Sequence, residues 1–443
     1  MSRIFPIAFV SVTLLGFLGI CGSPAMAQHV EPSFQQEKIN VTTGEHDGDG
    51  EGNRVAFETI IGKGDAPWSQ VEFGESNLGE SSFVRLTSGE NGDFQELDSK
   101  DLSHWNNSSG IFRGGNVRFE LVVAPQDKGV NVSIASRKVG QPPSEDQART
   151  LCDGDDDRTP STDPRVGRMF FGGCTAWLIS NGSVLTAGHC GNARGVVEFN
   201  VPQSTSNGLT IPAAIKDQYP IDGVYQRRDE PVVESDFGQD WQVFSIGRNC
   251  DGLLAHQVQG FIRCTNALPA VGSTIRVTGF GVDDTPLSRN FVQQTDVGAY
   301  EGELSARDRI WLRHRADTRG ANSGSPILWE SLNVAIGIHT NAGCTTSAAS
   351  ANRGTSFELD GLEDAINSFG GTSPEQVDGS HPDLGGENGS VLRPWGNVAS
   401  GVSAVQAGQN LNIVAGTYNE TLTISKAMTI RAPVGTVTIG KTP

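Results

Sequence analysis

The chain has 443 residues, and Asp plus Glu outnumber Lys plus Arg by 51 to 33, for a formal net charge of -18. That balance excludes surfaces built to hold nucleic acid or anionic membrane, which need a basic stripe. The length is too great for a single compact core and suits two or three domains.

In chain order, Arg3 precedes an apolar run from Ile4 to Ile20, and Ala25-Met26-Ala27 forms a small-residue cleavage pattern before Gln28. Residues 1–27 therefore read as a secretory signal peptide, and no other segment is apolar enough to cross a bilayer. Cys21 leaves with the signal. Of the rest, Cys174 with Cys190 and Cys250 with Cys264 would close short rings, which leaves Cys152 to pair with Cys344. An even number of cysteines suits an oxidising compartment, secreted or periplasmic.

Residues 28–142 carry short alternating runs, such as Val55-Ala56-Phe57-Glu58-Thr59-Ile60-Ile61 and Val117-Arg118-Phe119-Glu120-Leu121-Val122-Val123, broken by Gly, Asn, Asp and Ser clusters. They predict a β-sandwich acting as an accessory or pro-domain. Within it, Asp47, Asp49, Glu51, Gly52 and Glu58 match the spacing of a calcium loop, with a solvated acidic turn as the other reading. No other cofactor or metal is expected. A polar stretch around Pro142-Pro143 reads as a linker.

Residues 150–370 stay β-rich and close on a predicted helix over 357–369, where Leu359, Leu362, Ala365 and Ile366 recur at helical spacing. The polar, Gly-rich span 371–390 reads as a second linker. Residues 391–443 resemble one and a half coils of a right-handed parallel β-helix, too few to bury their own apolar face, so they must dock elsewhere.

Two strings carry the chemistry. Thr186-Ala187-Gly188-His189-Cys190 offers an imidazole base, and Gly320-Ala321-Asn322-Ser323-Gly324-Ser325-Pro326 offers a serine in a turn of small residues that could present its hydroxyl to solvent. With Cys174 ahead of them, they resemble the trypsin and chymotrypsin superfamily. The resemblance implies an all-β, chymotrypsin-like double barrel, His189 as base, Ser323 as nucleophile, and an oxyanion hole from the amides of Ser323 and Ala321. Ala321 stands where the family has glycine. Family order places the orienting carboxylate between histidine and serine. Asp240, opening the apolar run Asp240-Trp241-Gln242-Val243-Phe244, is the choice, ahead of Asp236 and Asp229.

Asp156-Asp157-Arg158, Asn322-Ser323-Gly324-Ser325-Pro326 and Gly337-Ile338-His339-Thr340-Asn341 resemble the bacterial glutamyl endopeptidase branch more closely. That resemblance implies that His339 and Thr318 bind an acidic P1 side chain. Asp317 argues for a basic P1 instead, and both preferences stay open. Asn322 cannot form the ion pair by which a freed N-terminus activates trypsins, and cleavage near Asp156 to Arg158 is the activation site the sequence favours.

The expected function is a secreted serine endopeptidase acting on protein or peptide substrates. It would have no nucleic-acid partner, no membrane contact after signal removal, and surface or polysaccharide contact through the C-terminal segment. The alternatives are a catalytically silent protease fold used for binding or adhesion, and a carbohydrate enzyme, which would have only Glu420, Lys426 and Arg431 to work with.

Overall fold

A computed structural model describes residues 32–62, 64–141, 149–191, 195–228, 237–369 and 374–440. The signal-peptide reading of residues 1–27 and the alternative acids Asp229 and Asp236 lie outside the described residues.

The alternating runs of the N-terminal part pair into two four-stranded antiparallel sheets. In order, one holds Phe34–Thr42, Ser133–Gly140, Trp68–Phe73 and Ser108–Arg113, and the other Arg54–Ile61, Val117–Val123, Phe83–Ser88 and Phe94–Leu97. Alternation sends Val84, Leu86, Phe119 and Leu121 of one sheet against Val71, Ile111 and Ile134 of the other. The same apolar cluster continues into Phe170, Val196 and Ile215 of the next unit. At the seam Trp68 meets Phe170 edge-on, with ring centroids 4.8 Å apart, and Lys138 lies 4.5 Å above the Phe171 ring. Gln218 closes the seam by accepting from the Ile111 amide at 2.7 Å and donating to the Ile111 carbonyl at 2.8 Å.

The central part is built of two barrels. Strands Val166–Met169, Cys174–Leu178, Val184–Thr186, Trp241–Ile246, Gln218–Arg228 and Val196–Glu198 form a closed six-stranded barrel. The second is a sheet in the order Thr159–Pro160, Gln294–Ala306, Thr274–Gly279, Pro326–Trp329, Val334–Asn341, Asn352–Ser356 and Arg309–His314. Pairing of Gln294–Ala306 with Arg309–His314 closes it on itself. The helix spans Asp360–Ser368, shorter than the spacing predicts, because Phe357 leaves the helical path to pack on Trp177 at 6.3 Å. Its Leu362, Ala365 and Ile366 fill the cluster between the barrels with Trp241, Phe280 and Leu328.

The span read as a second linker is not one over its described part. Glu375–Val377 pairs in parallel with Asn410–Ile413, which pairs in parallel with Thr429–Arg431. Gly416–Tyr418 and Val437–Ile439 form a second parallel pair. Asp378 takes a bidentate bond from Arg263 at 2.7 and 3.1 Å, and His381 Nε2 lies 2.9 Å from the Cys264 carbonyl. A polar, Gly-rich composition hides these anchors because each needs a distant partner.

The cysteine reading needs a similar correction. Cys174–Cys190 and Cys152–Cys344 are disulfides, but Cys250 and Cys264 are not paired. The helix Ala255–Gln259 carries the chain between them: Cys250 packs on the sandwich core, and Cys264 is buried between the barrels beside Ala335. Short sequence separation does not bring their sulfurs together.

One buried ion pair lies inside the first barrel, between directly paired residues of Val166–Met169 and Val196–Glu198. Arg168 and Glu198 are both fully buried, with Nε to Oε1 at 2.7 Å. Arg168 also donates to the Phe291 and Ile211 carbonyls, and Glu198 accepts from the Ala213 amide at 2.8 Å. Burial pushes the guanidinium pKa down and the carboxyl pKa up against their mutual attraction. Glu198→Gln, which strands the guanidinium, is expected to lose roughly 3–5 kcal/mol in urea unfolding. Arg168→Met/Glu198→Leu should lose less than that single change, and a larger loss would show the pair to be net stabilising.

Thiol counting tests the cysteine assignment. Burial, then Asp251, pushes the half-buried Cys250 thiol up to about 12, and burial raises Cys264 well above the usual thiol range. A chain lacking residues 1–27 should therefore react slowly with a thiol reagent when native and yield both Cys250 and Cys264 when unfolded without reductant. A Cys250–Cys264 bridge would yield neither.

Candidate active site

The strand Val184–Thr186 ends in a short turn, Gly188–Cys190, that turns His189 toward the groove between the barrels while Cys190 bonds back to Cys174. Asp240 sits one residue before Trp241–Ile246, the strand paired with Val184–Thr186. That register brings acid and base together: Asp240 Oδ2 lies 2.5 Å from His189 Nδ1, and Oδ1 accepts from the His189 amide at 2.8 Å. The acid is held in turn by Thr355, which donates to its carbonyl at 2.8 Å. A carboxylate at Nδ1 places the ring proton there and leaves Nε2 as the basic nitrogen.

Ser323 lies in the turn between Thr318–Arg319 and Pro326–Trp329. Its carbonyl accepts from the Thr175 amide at 2.8 Å, and the next carbonyl, Gly324, accepts from Trp177 Nε1 at 3.0 Å. Gly324 has φ +90°, and a Cβ there would stand 2.1 Å from the Thr175 carbonyl and 2.3 Å from Thr186 Oγ1. Glycine is thus required for the turn to lie against the strands that deliver His189. Contrary to the expectation of an exposed hydroxyl, Ser323 is buried, and its Oγ donates a long bond, 3.4 Å, to the Thr340 carbonyl.

Ala321 adopts φ +71°, the left-handed region where the family has glycine. Its Cβ packs with Val282 and Phe291, contacts that offset part of a backbone strain of roughly 1–2 kcal/mol. Beneath the turn, Arg158 forks onto Asp156 at 2.9 Å through each of two nitrogens. Arg319 reaches Asp156 at 2.8 Å and Asp284 at 2.9 Å. The stretch from Asp156 to Arg158, favoured in the sequence as an activation cleavage site, is therefore anchored under the nucleophile turn.

The three residues read as specificity determinants lie close in the chain fold but face different partners. His339, fully buried, accepts at its main-chain carbonyl from the Gly324 amide at 2.8 Å, and its Nδ1 lies 3.1 Å from His314 Nε2. Burial, then the charges of His314 and His189, hold His339 well below the usual imidazole range. Burial lowers His314 to about 3. Thr318 Oγ1 accepts from Asn352 Nδ2 at 3.1 Å. Asp317 turns away toward the segment before the barrels: its Oδ1 accepts from the Cys152 amide at 2.7 Å. Burial, then Asp296 and Asp157, push its carboxyl up to about 7.

His314 and Asn352 were not singled out in the sequence. Asn352 also donates to the Ala316 carbonyl and accepts from the amides of Gly343 and Cys344, tying together two loops beside Thr318. Neither residue sits in a motif, so nothing local marks it.

The calcium-loop reading finds no gathered ligands. Asp47 Oδ1 accepts from the Gly129 amide, Asp49 lies 3.6 Å from Arg54, and Glu58 pairs with Arg118 at 2.9 Å from within a strand. Glu58 lies within the strand Arg54–Ile61.

Residues 153–356 match the Trypsin family model. A glutamyl endopeptidase of Bacillus licheniformis is 22% identical over 207 residues, covering 44% of this chain and 60% of that protein's length. Among solved structures, a Glu endopeptidase in complex with MPD is similar at 20% identity, over 47% of this chain and 95% of its own, with a TM-score of 0.36. Neuropsin, a serine protease expressed in the limbic system of mouse brain, is similar at 15% identity over 47% and 93%, with a TM-score of 0.33. Residues 153–356, just under half of the chain, thus form a strand-rich region with a closed barrel that matches the trypsin-like serine peptidases and is similar to a glutamyl endopeptidase.

Proposed function

We propose that the chain is a secreted serine endopeptidase that cleaves after acidic residues. The observation that carries the hydrolytic reading is the double grip of Asp240 on His189, beside a serine turn pinned to Thr175 on Cys174–Leu178, the strand next to the one that delivers the histidine. In this reading Ser323 Oγ exchanges its long contact with Thr340 for His189 Nε2, gives up its proton, and attacks the scissile carbonyl. The amides of Ser323 and Ala321 receive the oxyanion, and His189 then protonates the leaving amine to give the acyl-enzyme. Two disulfides suit an oxidising, extracellular setting, and among the described residues no helix is long and apolar enough to cross a membrane.

Support for an acidic P1 comes from what each polar group faces. Asp317 directs one oxygen to the Cys152 amide and lies 4% exposed, a poor arrangement for capturing a substrate cation. His339 is kept neutral by its surroundings, so it can offer an N–H to a carboxylate without first gaining a proton. If His314 donates to His339 Nδ1, that donor is Nε2. The acidic preference also fits the similarity to the Bacillus licheniformis glutamyl endopeptidase.

Cleavage of a mixed peptide library, with cut sites mapped by mass spectrometry, tests both levels. Ser323→Ala is expected to lose ~10⁴ to 10⁶ in turnover, and Asp240→Asn ~10⁴ through the wrong tautomer, with folding unchanged. Activity surviving Ser323→Ala would belong to another site. Cuts are expected after Glu or Asp, and His339→Ala should raise KM for those peptides more than it lowers kcat on others. Cuts after Lys or Arg would assign the pocket to Asp317.

A further inference from the structure

Away from His189, Asp240 and Ser323, the described residues hold a cluster of three carboxylates that the proposed reaction does not use. Oxygens of Asp157, Asp296 and Asp317 all lie within 4.8 Å of one another. They come from three separate segments: Asp157 from the stretch before Thr159–Pro160, Asp296 from the strand Gln294–Ala306, and Asp317 from the residues leading to Ser323. Asp296 is 9% exposed and Asp317 4%, while Asp157 opens to solvent.

Hydrogen bonds fix the geometry without satisfying it. Asp296 Oδ2 accepts from the Asp317 amide at 2.7 Å, and Asp317 Oδ1 accepts from the Cys152 amide at 2.7 Å. The second oxygen, Asp317 Oδ2, is buried and has no donor. A buried carboxylate oxygen without a partner is costly and calls for a ligand.

The neighbouring cations are committed elsewhere. Arg315 donates to the carbonyls of Cys152, Ser347 and Ser350. Arg158 and Arg319 are paired with Asp156, Asp283 and Asp284. Asp153 adds a further negative charge acting on Asp317. Like charges this close, mostly out of water, repel strongly unless a proton or a cation stands among them, and a divalent cation can take the place of the protons.

We propose that Asp157, Asp296 and Asp317 bind one divalent cation, calcium by the chemistry of the donors. All three offer hard oxygen, with no nitrogen or sulfur to favour zinc, and the open side at Asp157 admits the ion and the waters that complete its shell. The ion ties the Cys152 segment to the strand of Asp296 and to the residues leading to Ser323. It also holds Asp317 away from the substrate pocket. A basic P1 read by Asp317 would be incompatible with this site, whereas an acidic P1 leaves Asp317 to the ion, so calcium binding is measured apart from cleavage.

The test uses the chain from residue 28 onward, stripped with EDTA and dialysed against calcium chloride. One ion per chain is expected, with a rise in Tm on the order of 5 °C at a hundredfold excess over Kd. Asp157→Asn and Asp296→Asn should each lose tenfold or more in affinity, while Asp49→Asn in the N-terminal loop keeps it. In EDTA each of the two site variants, relieved of a like charge, should melt no lower than the stripped wild type, which separates a lost ligand from a lost fold. The proposal is overturned if stripped protein binds no calcium at millimolar concentration and its Tm ignores EDTA. It is equally overturned if binding survives both site variants and disappears in Asp49→Asn.

Discussion

Thr175 is the point through which the two barrels are held to each other. Its amide donates to the Ser323 carbonyl at 2.8 Å, its hydroxyl donates to the Ala321 carbonyl at 3.1 Å, and the same hydroxyl accepts from the Phe280 amide at 2.9 Å. Its own carbonyl accepts from Thr186 Oγ1 at 2.8 Å, on the strand that ends at His189. One buried threonine of the first barrel therefore bonds the nucleophile turn, the second barrel and the histidine strand. Each bond is worth about 1 kcal/mol, but their larger effect is geometric, because the turn cannot shift without stranding buried main-chain groups. Valine here would keep the shape and remove two of the four bonds.

A second constraint lies beneath that turn, in how charge is distributed around it. On one side, Arg158 and Arg319 interleave with Asp156, Asp283 and Asp284, so that acids and bases alternate. On the other, Asp157, Asp296 and Asp317 meet with no base between them. Asp156 and Asp157 are neighbours in sequence, yet one belongs to a neutralised network and the other to an uncompensated cluster. Where trypsins rely on a freed ammonium, this chain has Asn322 with an internal segment already folded under it. A Cβ at Gly281 would meet Asn322 Nδ2 at 2.2 Å and Arg158 Nη1 at 2.5 Å, so a larger residue there would push both side chains out of the network.

How much of this was legible in the sequence follows from the range of each interaction. His189 and Ser323 stood out because each sits in a short string whose neighbours are needed locally: Cys190 for the disulfide, Gly324 for the close approach. Asp240 was legible through order and the apolar strand behind it. Thr175, His314 and Asn352 were not, because their partners lie far along the chain and nothing near them in sequence marks the contact. Cys250 and Cys264 misled for the converse reason, since proximity in sequence suggested a ring that the intervening helix prevents. Asp156 and Asp157 stand side by side in one sequence motif, and their roles separate only once Asp296 and Asp317 arrive from the second barrel.

The N-terminal sandwich is the part whose meaning changes most between sequence and structure. A removable pro-domain needs an interface that can open without exposing a core. Here the apolar cluster of the sandwich runs without a break into Phe170, Val196 and Ile215 of the first barrel, and Trp68, Phe170 and Phe171 stack against one another at the seam. Separation would bare those rings and strand Gln218, whose side chain bonds both polar groups of Ile111. Cleavage between residues 141 and 149 would therefore leave the two units docked, as halves of a nicked domain stay docked. The sandwich packs on the first barrel at Phe170, Phe171, Val196, Ile215 and Gln218.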